Sequence, residues 1–155
     1  MAKFVYRMEN VLKLKEQIES QRQMEFVQAQ NKVLEEEEKM KALINRYRGY
    51  VNDQKEASKN KISIVNLRHF GDCIRVTKEL IKAETVQVKV AKKNLEVAQK
   101  RLADAVMERK IQDKLKERAF EEFKQELSKE EMKEIDEVIS FNYNNRSIWT
   151  QWMKF

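Results

Sequence analysis

The sequence predicts an all-α protein, one long antiparallel two-helix coiled-coil hairpin, and three observations carry that expectation. The 155 residues contain no proline and only two glycines, so almost nothing interrupts a helix. Charged residues make up 37% and aromatic residues 8%, against about a quarter charged in ordinary globular domains. That balance suits helices that bury one narrow stripe and hydrate the rest. Apolar residues also recur in alternating steps of three and four over two long stretches, which is the heptad pattern.

The spacing predicts a first helix over about residues 5–57. Phe4, Met8, Val11 and Ile18 open its apolar face. From Phe26 the seam runs through Ala29, Val33, Glu36, Met40, Leu43, Tyr47 and Tyr50. Two steps of four between Ile18 and Phe26, through Arg22, read as a stutter. A second helix is predicted over about 64–140. Its seam is Leu67, Phe70, Ile74, Thr77, Ile81, Glu84, Val88, Ala91, Leu95, Ala98, Leu102 and Ala105. Past Ala105 the phase blurs, although Ile111, Leu115, Ala119, Phe123 and Leu127 keep one face apolar.

Between the helices lies a polar break at about 58–63, with Asn60, Ser58 and Ser63 suited to turn and N-cap duty. So short a connection makes the helices antiparallel neighbours. Facing residues of such a pair must keep a constant index sum. Tyr50 with Phe70, Met40 with Ile81, Val33 with Val88 and Phe26 with Leu95 all give 120 or 121, and half of that falls at the break. Glu36 then faces Glu84, and two like charges are expected to splay outward or soften the centre. Helices of these lengths measure roughly 80 Å and 110 Å. Residues beyond about 117 are expected to overhang the N-terminus, leaving Phe120, Phe123 and Leu127 without a partner in the chain. Residues 1–140 thus read as a single hairpin. The segment 141–155 departs from heptad order and holds both tryptophans, Trp149 and Trp152, beside Phe141, Tyr143, Met153 and Phe155; it either folds back or docks on a partner.

Chemistry is scarce. No glycine-rich phosphate loop is present, and one histidine with one cysteine leaves no nucleophile–base pair of the usual kind. His69 and Cys73 have i, i+4 spacing, but a metal site needs two more ligands; Cys73 reads as a small hydrophobe beside the seam. No catalytic, cofactor or metal site is expected. A lone cysteine fits a reducing compartment, and neither a signal-peptide core nor a membrane-spanning window is evident. The cytoplasm is therefore the expected location. The net charge of +6 is uneven: residues 1–57 carry +1, residues 58–118 carry +8 and residues 119–155 carry −3. The basic stretch 68–118 could meet nucleic acid or an acidic protein surface. Exposed aromatics would be expected beside a nucleic-acid surface, and none lies between residues 71 and 119, so no nucleic acid is expected. The acidic cluster Glu130, Glu131, Glu134, Asp136 and Glu137 reads as a solvated face or a docking site.

With the hairpin in hand, the chain resembles the FliJ family of the bacterial flagellar type III export apparatus over about residues 4–138. Phe4-Val5-Tyr6, then Val11-Leu12, Lys15 and Glu19, resemble the family's opening. Lys114-Leu115-Lys116-Glu117-Arg118, then Phe123, Glu130 and Glu134-Ile135-Asp136-Glu137, resemble its C-terminal signature. The resemblance implies a non-catalytic stalk, similar to the central stalk of rotary ATPases. It implies that the paired terminal end, about 4–30 with 95–137, binds the flagellar export ATPase hexamer, here through Phe4, Tyr6, Val11, Leu12, Leu115, Arg118, Phe123, Asp136 and Glu137. It further implies contact between a surface nearer the turn and the export gate protein, through Leu43, Tyr50, Phe70, Ile74, Thr77 and Ile81 with Tyr47 beside them. Export chaperones are also implied as partners, as is a peripheral location at the cytoplasmic face of the membrane through protein contacts. The sequence departs from the family at Arg46, where an aromatic is usual, and in its aromatic tail beyond Ser140. The rival readings are a nucleic-acid-binding coiled coil using 68–118 and a generic scaffold.

Overall fold

The computed structural model describes residues 2–59, 61 and 63–154. They form two helices, α1 over Glu9–Lys59 and α2 over Ile64–Trp152. Among the described residues there is no strand, and no φ is positive outside glycine. The two helices pack against each other, so the expected all-α hairpin is observed. The chain divides into two units, Glu16–Met107 and Met1–Lys15 with Glu108–Phe155.

In the unit 16–107, the seam read from the sequence is the buried stripe. On α1, Phe26, Ala29, Met40, Leu43, Tyr47 and Tyr50 are half-buried, while Val33 and Glu36 are buried. Ile18, Glu19 and Arg22 are half-buried as well; Glu19, Arg22 and Phe26 keep steps of three and four, so the heptad runs on through Glu19 where a stutter was expected. On α2, Thr77, Ala91 and Ala98 are buried, and Leu67, Phe70, Ile74, Ile81, Glu84, Val88, Leu95 and Leu102 are half-buried. Alanine at successive heptad positions lets two helices approach closely, because no longer side chain holds them apart. The turn expected near Asn60 falls on residues outside the described ones, Asn60 and Ile62. Beside it, the Ser63 carbonyl accepts the Leu67 N–H at 3.0 Å, so Ser63 occupies the N-cap position of α2.

At the centre, where two like charges were expected to splay or soften the seam, Glu36 and Glu84 stay on it. Glu36 and Glu84 hydrogen-bond to each other. The Glu84 bond, then the Lys32 ammonium, hold the Glu36 carboxyl down at about 2. The same shared bond, followed by desolvation, raises Glu84 above the ordinary carboxylate value of 4.5. Lys32 reaches Glu36 at 2.9 Å and Lys39 reaches it at 3.3 Å. The pair thus pushes the two carboxyls in opposite directions, and Glu84 Oε1 is buried without a partner. The pair does not splay outward: Glu36 is buried and Glu84 half-buried, with two ammonium groups close to Glu36.

In the unit of 1–15 and 108–155, the first helix starts later than expected. Residues 2–6 are non-helical and Arg7–Met8 form a turn; the Glu9 N–H donates to the Tyr6 carbonyl at 3.2 Å. Chain outside a helix covers about 3.3 Å per residue rather than 1.5 Å, so this segment reaches farther along α2 than a helix would. It carries Phe4 onto the supposed overhang. The Phe4 ring lies 5.1 Å from Phe120, edge on, and 5.5 Å from Phe123. Phe120 and Phe123 therefore have a partner in the chain, contrary to expectation.

The phase beyond Ala105 also differs from expectation. Ile111 and Leu115 are exposed; the half-buried positions include Arg109, Gln112, Lys116, Ala119, Phe123 and Leu127, with Val106 and Asp113 beside them. The stripe thus continues in steps of three and four, on polar residues with polar partners at Arg109, Gln112 and Lys116 and on apolar ones from Ala119. At its far end α2 runs to Trp152, well past the expected limit near 140. No proline or glycine interrupts residues 141–152, so neither of the strongest helix breakers stops it. Phe155 lies outside the described residues.

Candidate functional site

Two groups of residues are candidates, one in each unit. In the unit 16–107, Leu43, Tyr47, Tyr50, Phe70, Ile74 and Ile81 are half-buried and Thr77 is buried at 3% exposure. The Thr77 hydroxyl donates to the Cys73 carbonyl at 2.7 Å, so its burial leaves no hydroxyl hydrogen unpaired. The rings of Tyr47, Tyr50 and Phe70 are only part covered, as expected where a two-helix seam meets large side chains. Lys78 Nζ stands 5.9 Å from the centre of the Tyr47 ring, and the His69 ring lies 5.9 Å from Phe70. Partly covered aromatic side chains are enriched in protein-binding surfaces.

His69 Nε2 and Cys73 Sγ lie 3.8 Å apart on one face of α2. Among the described residues no third histidine, cysteine or carboxylate joins them or forms any other group able to hold a metal. Cys73 is half-buried beside Ile74. The basic stretch is partly neutralised within the chain: Arg75 pairs with Asp72 at 3.3 Å, Lys82 with Glu79 at 3.2 Å and Lys92 with Glu37 at 3.5 Å. No helix among the described residues is long and apolar enough to cross a membrane.

In the unit of 1–15 and 108–155, Tyr6 and Leu12 are buried, and Phe4 and Phe123 are half-buried. Val11 is 37% exposed against 4% for Leu12, so Leu12 carries the inner face where Val11 was expected. The cause is the heptad phase: Leu12, Lys15, Glu19, Arg22 and Phe26, all buried or half-buried, keep alternating steps of three and four, and Val11 falls outside them. Leu115, Arg118, Asp136 and Glu137 are exposed. The Tyr6 hydroxyl donates to Gln112 Oε1 at 3.1 Å; Lys116 Nζ pairs with Glu9 at 3.0 Å and Lys15 with Glu108 at 2.6 Å. These bonds pin the N-terminal segment onto α2. A shallow groove runs beside Phe4, Tyr6 and Met8, with Ala119, Phe123 and Glu126 opposite.

Gln112 and Lys116 were missed in the sequence because they are polar residues in an apolar register. A signal was available: the steps 105, 109, 112, 116, 119 and 123 keep heptad order if residue type is ignored.

Among curated proteins and among solved structures, nothing matches the chain. Residues 4–147 do match the family described as flagellar FliJ protein. That span contains Phe4, the whole of α1, the Glu36–Glu84 pair and α2 as far as Ser147, so the chain belongs to the flagellar FliJ protein family, whose members are components of flagellar protein export.

Proposed function

We propose that this chain is a non-catalytic coupling subunit of the flagellar type III export apparatus. It binds the export ATPase ring through Phe4, Tyr6, Val11, Leu12, Leu115, Arg118, Phe123, Asp136 and Glu137. It binds the export gate through Leu43, Tyr47, Tyr50, Phe70, Ile74, Thr77 and Ile81, and it also takes empty export chaperones. Its place is then the cytoplasmic face of the membrane, held there by protein contacts. The observation that carries this reading is the family match over 4–147 on a hairpin whose two candidate surfaces fall in separate units. The part-covered rings near the connection support a gate contact, because aromatic side chains supply large contact area at low entropic cost. The exposed carboxylates Asp136 and Glu137 and the exposed Arg118 support a polar contact with a ring.

Binding to purified partners tests it. Phe70→Ala weakens gate binding by about 1–2 kcal/mol, some tenfold, and leaves ATPase binding intact. Loss of both interactions, or of neither, contradicts the division of labour. Mixing the chain with its organism's flagellar ATPase should also raise turnover and hexamer formation; no change in either contradicts the ATPase contact.

A further inference from the structure

Beyond Leu127 every described residue is exposed, yet α2 continues as helix to Trp152. The heptad order expected to end near Ser140 does not end there. Met132, Ile135, Ile139, Asn142, Arg146, Trp149 and Met153 follow one another in alternating steps of three and four. On a continuous helix these positions share one face. Two of the seven are polar, which hid the pattern in the sequence. The apolar members are uncovered, with Ile135 57% and Trp149 69% exposed. No described residue of the chain lies over them.

We propose that residues 132–153 pair antiparallel with the same segment of a second copy of this chain. The register closes on itself. An antiparallel pairing with an index sum of 284 or 285 sets Met132 against Met153, Ile135 against Trp149 and Ile139 against Arg146. Asn142 alone then faces its own copy and sits on the twofold axis, as a closed two-copy interface requires of its central position. A carboxamide is at once donor and acceptor, so two copies of Asn142 satisfy each other across that axis. A polar amide at one seam position also fixes register at some cost in stability. The aliphatic stem of Arg146 covers Ile139 while its guanidinium stays in water.

Charge selects the direction. Residues 129–137 carry two lysines and five carboxylates, a net −3, and residues 138–154 carry Arg146 and Lys154, a net +2. Antiparallel pairing lays the acidic half of each copy on the basic half of the other. Parallel pairing lays acid on acid and sets Arg146 against itself.

Sedimentation equilibrium of the full chain at micromolar concentration reads the outcome, with mild oxidation of single-cysteine variants as the second arm. The full chain sediments as a dimer, and Ile135→Asp returns it to monomer; Ile135 is exposed, so the charge costs the fold nothing within the chain. In a Cys73→Ser background, Asn142→Cys links two copies through a disulfide, since only the residue on the axis meets itself, while Ile135→Cys does not link. A chain that stays monomeric overturns the pairing, as does a dimer that survives Ile135→Asp. Equal cross-linking at 135 and 142 overturns the antiparallel direction.

Discussion

At the scale of single residues, the buried Glu36–Glu84 pair makes a prediction with a definite sign. The Glu36 carboxyl is held down at about 2, so it contributes stability that is present above the ordinary value of 4.5 and is lost as pH falls toward 2. The Glu84 carboxyl is raised, so its contribution is present below 4.5 and is lost as pH rises through its folded value. Stability from the pair therefore peaks near the ordinary carboxylate value and declines on both sides. Glu84→Gln keeps a donor to Glu36 and removes the alkaline loss. Its melting temperature should exceed that of the parent by a few degrees at pH 8 and match it near pH 4.5; a variant less stable than the parent at both pH values contradicts the raised Glu84 carboxyl. Phe4 offers a second test. Phe4→Ala removes two ring contacts, a loss of about 1–3 kcal/mol. The effect should be local, read as faster amide exchange over residues 5–12 with exchange around Val33 unchanged.

At the scale of elements, the seam of α1 and α2 is set by alanine as much as by large side chains. Ala91, Ala98 and Ala105 are buried seven residues apart. A leucine at Ala91 overfills a close approach, and Ala91→Leu should cost about 1–3 kcal/mol, seen as a lower urea midpoint with unchanged slope. An unchanged midpoint would mean that the helices part easily there. This element pairing was legible in the sequence because every seam position from Phe26 to Tyr50 and from Leu67 to Ala105 obeys one spacing. The index sum near 120 further required the two stretches to face each other, as Glu36 and Glu84 do. The termini were harder to read for physical reasons. The segment 2–8 leaves the helix and so travels farther per residue, which no helical index sum anticipates. Beyond Ala105 the inner positions fall to Arg109, Gln112 and Lys116, whose place on the stripe is invisible to a search for apolar periodicity. The candidate site was legible only as residue types and family resemblance. That Leu12, not Val11, faces inward follows from a stripe that runs through the polar Lys15, Glu19 and Arg22, which a search for apolar residues passes over.

At the scale of the whole molecule, membership of the FliJ family and the exposed surfaces of both units favour a chain that works through the proteins it touches. All of this depends on α1 turning back along α2 rather than the chain running on as one helix. A distance measurement between spin labels tests that most directly. Gln28 and Lys93 are exposed positions whose index sum is 121, and labels there, in a Cys73→Ser background diluted with unlabelled chain, leave the seam intact. The antiparallel pairing predicts a narrow distribution near 20 Å, from an interaxial distance of about 10 Å plus the label arms. A distribution near 100 Å, the span of one continuous helix between those residues, or a broad one with no short component, would contradict it.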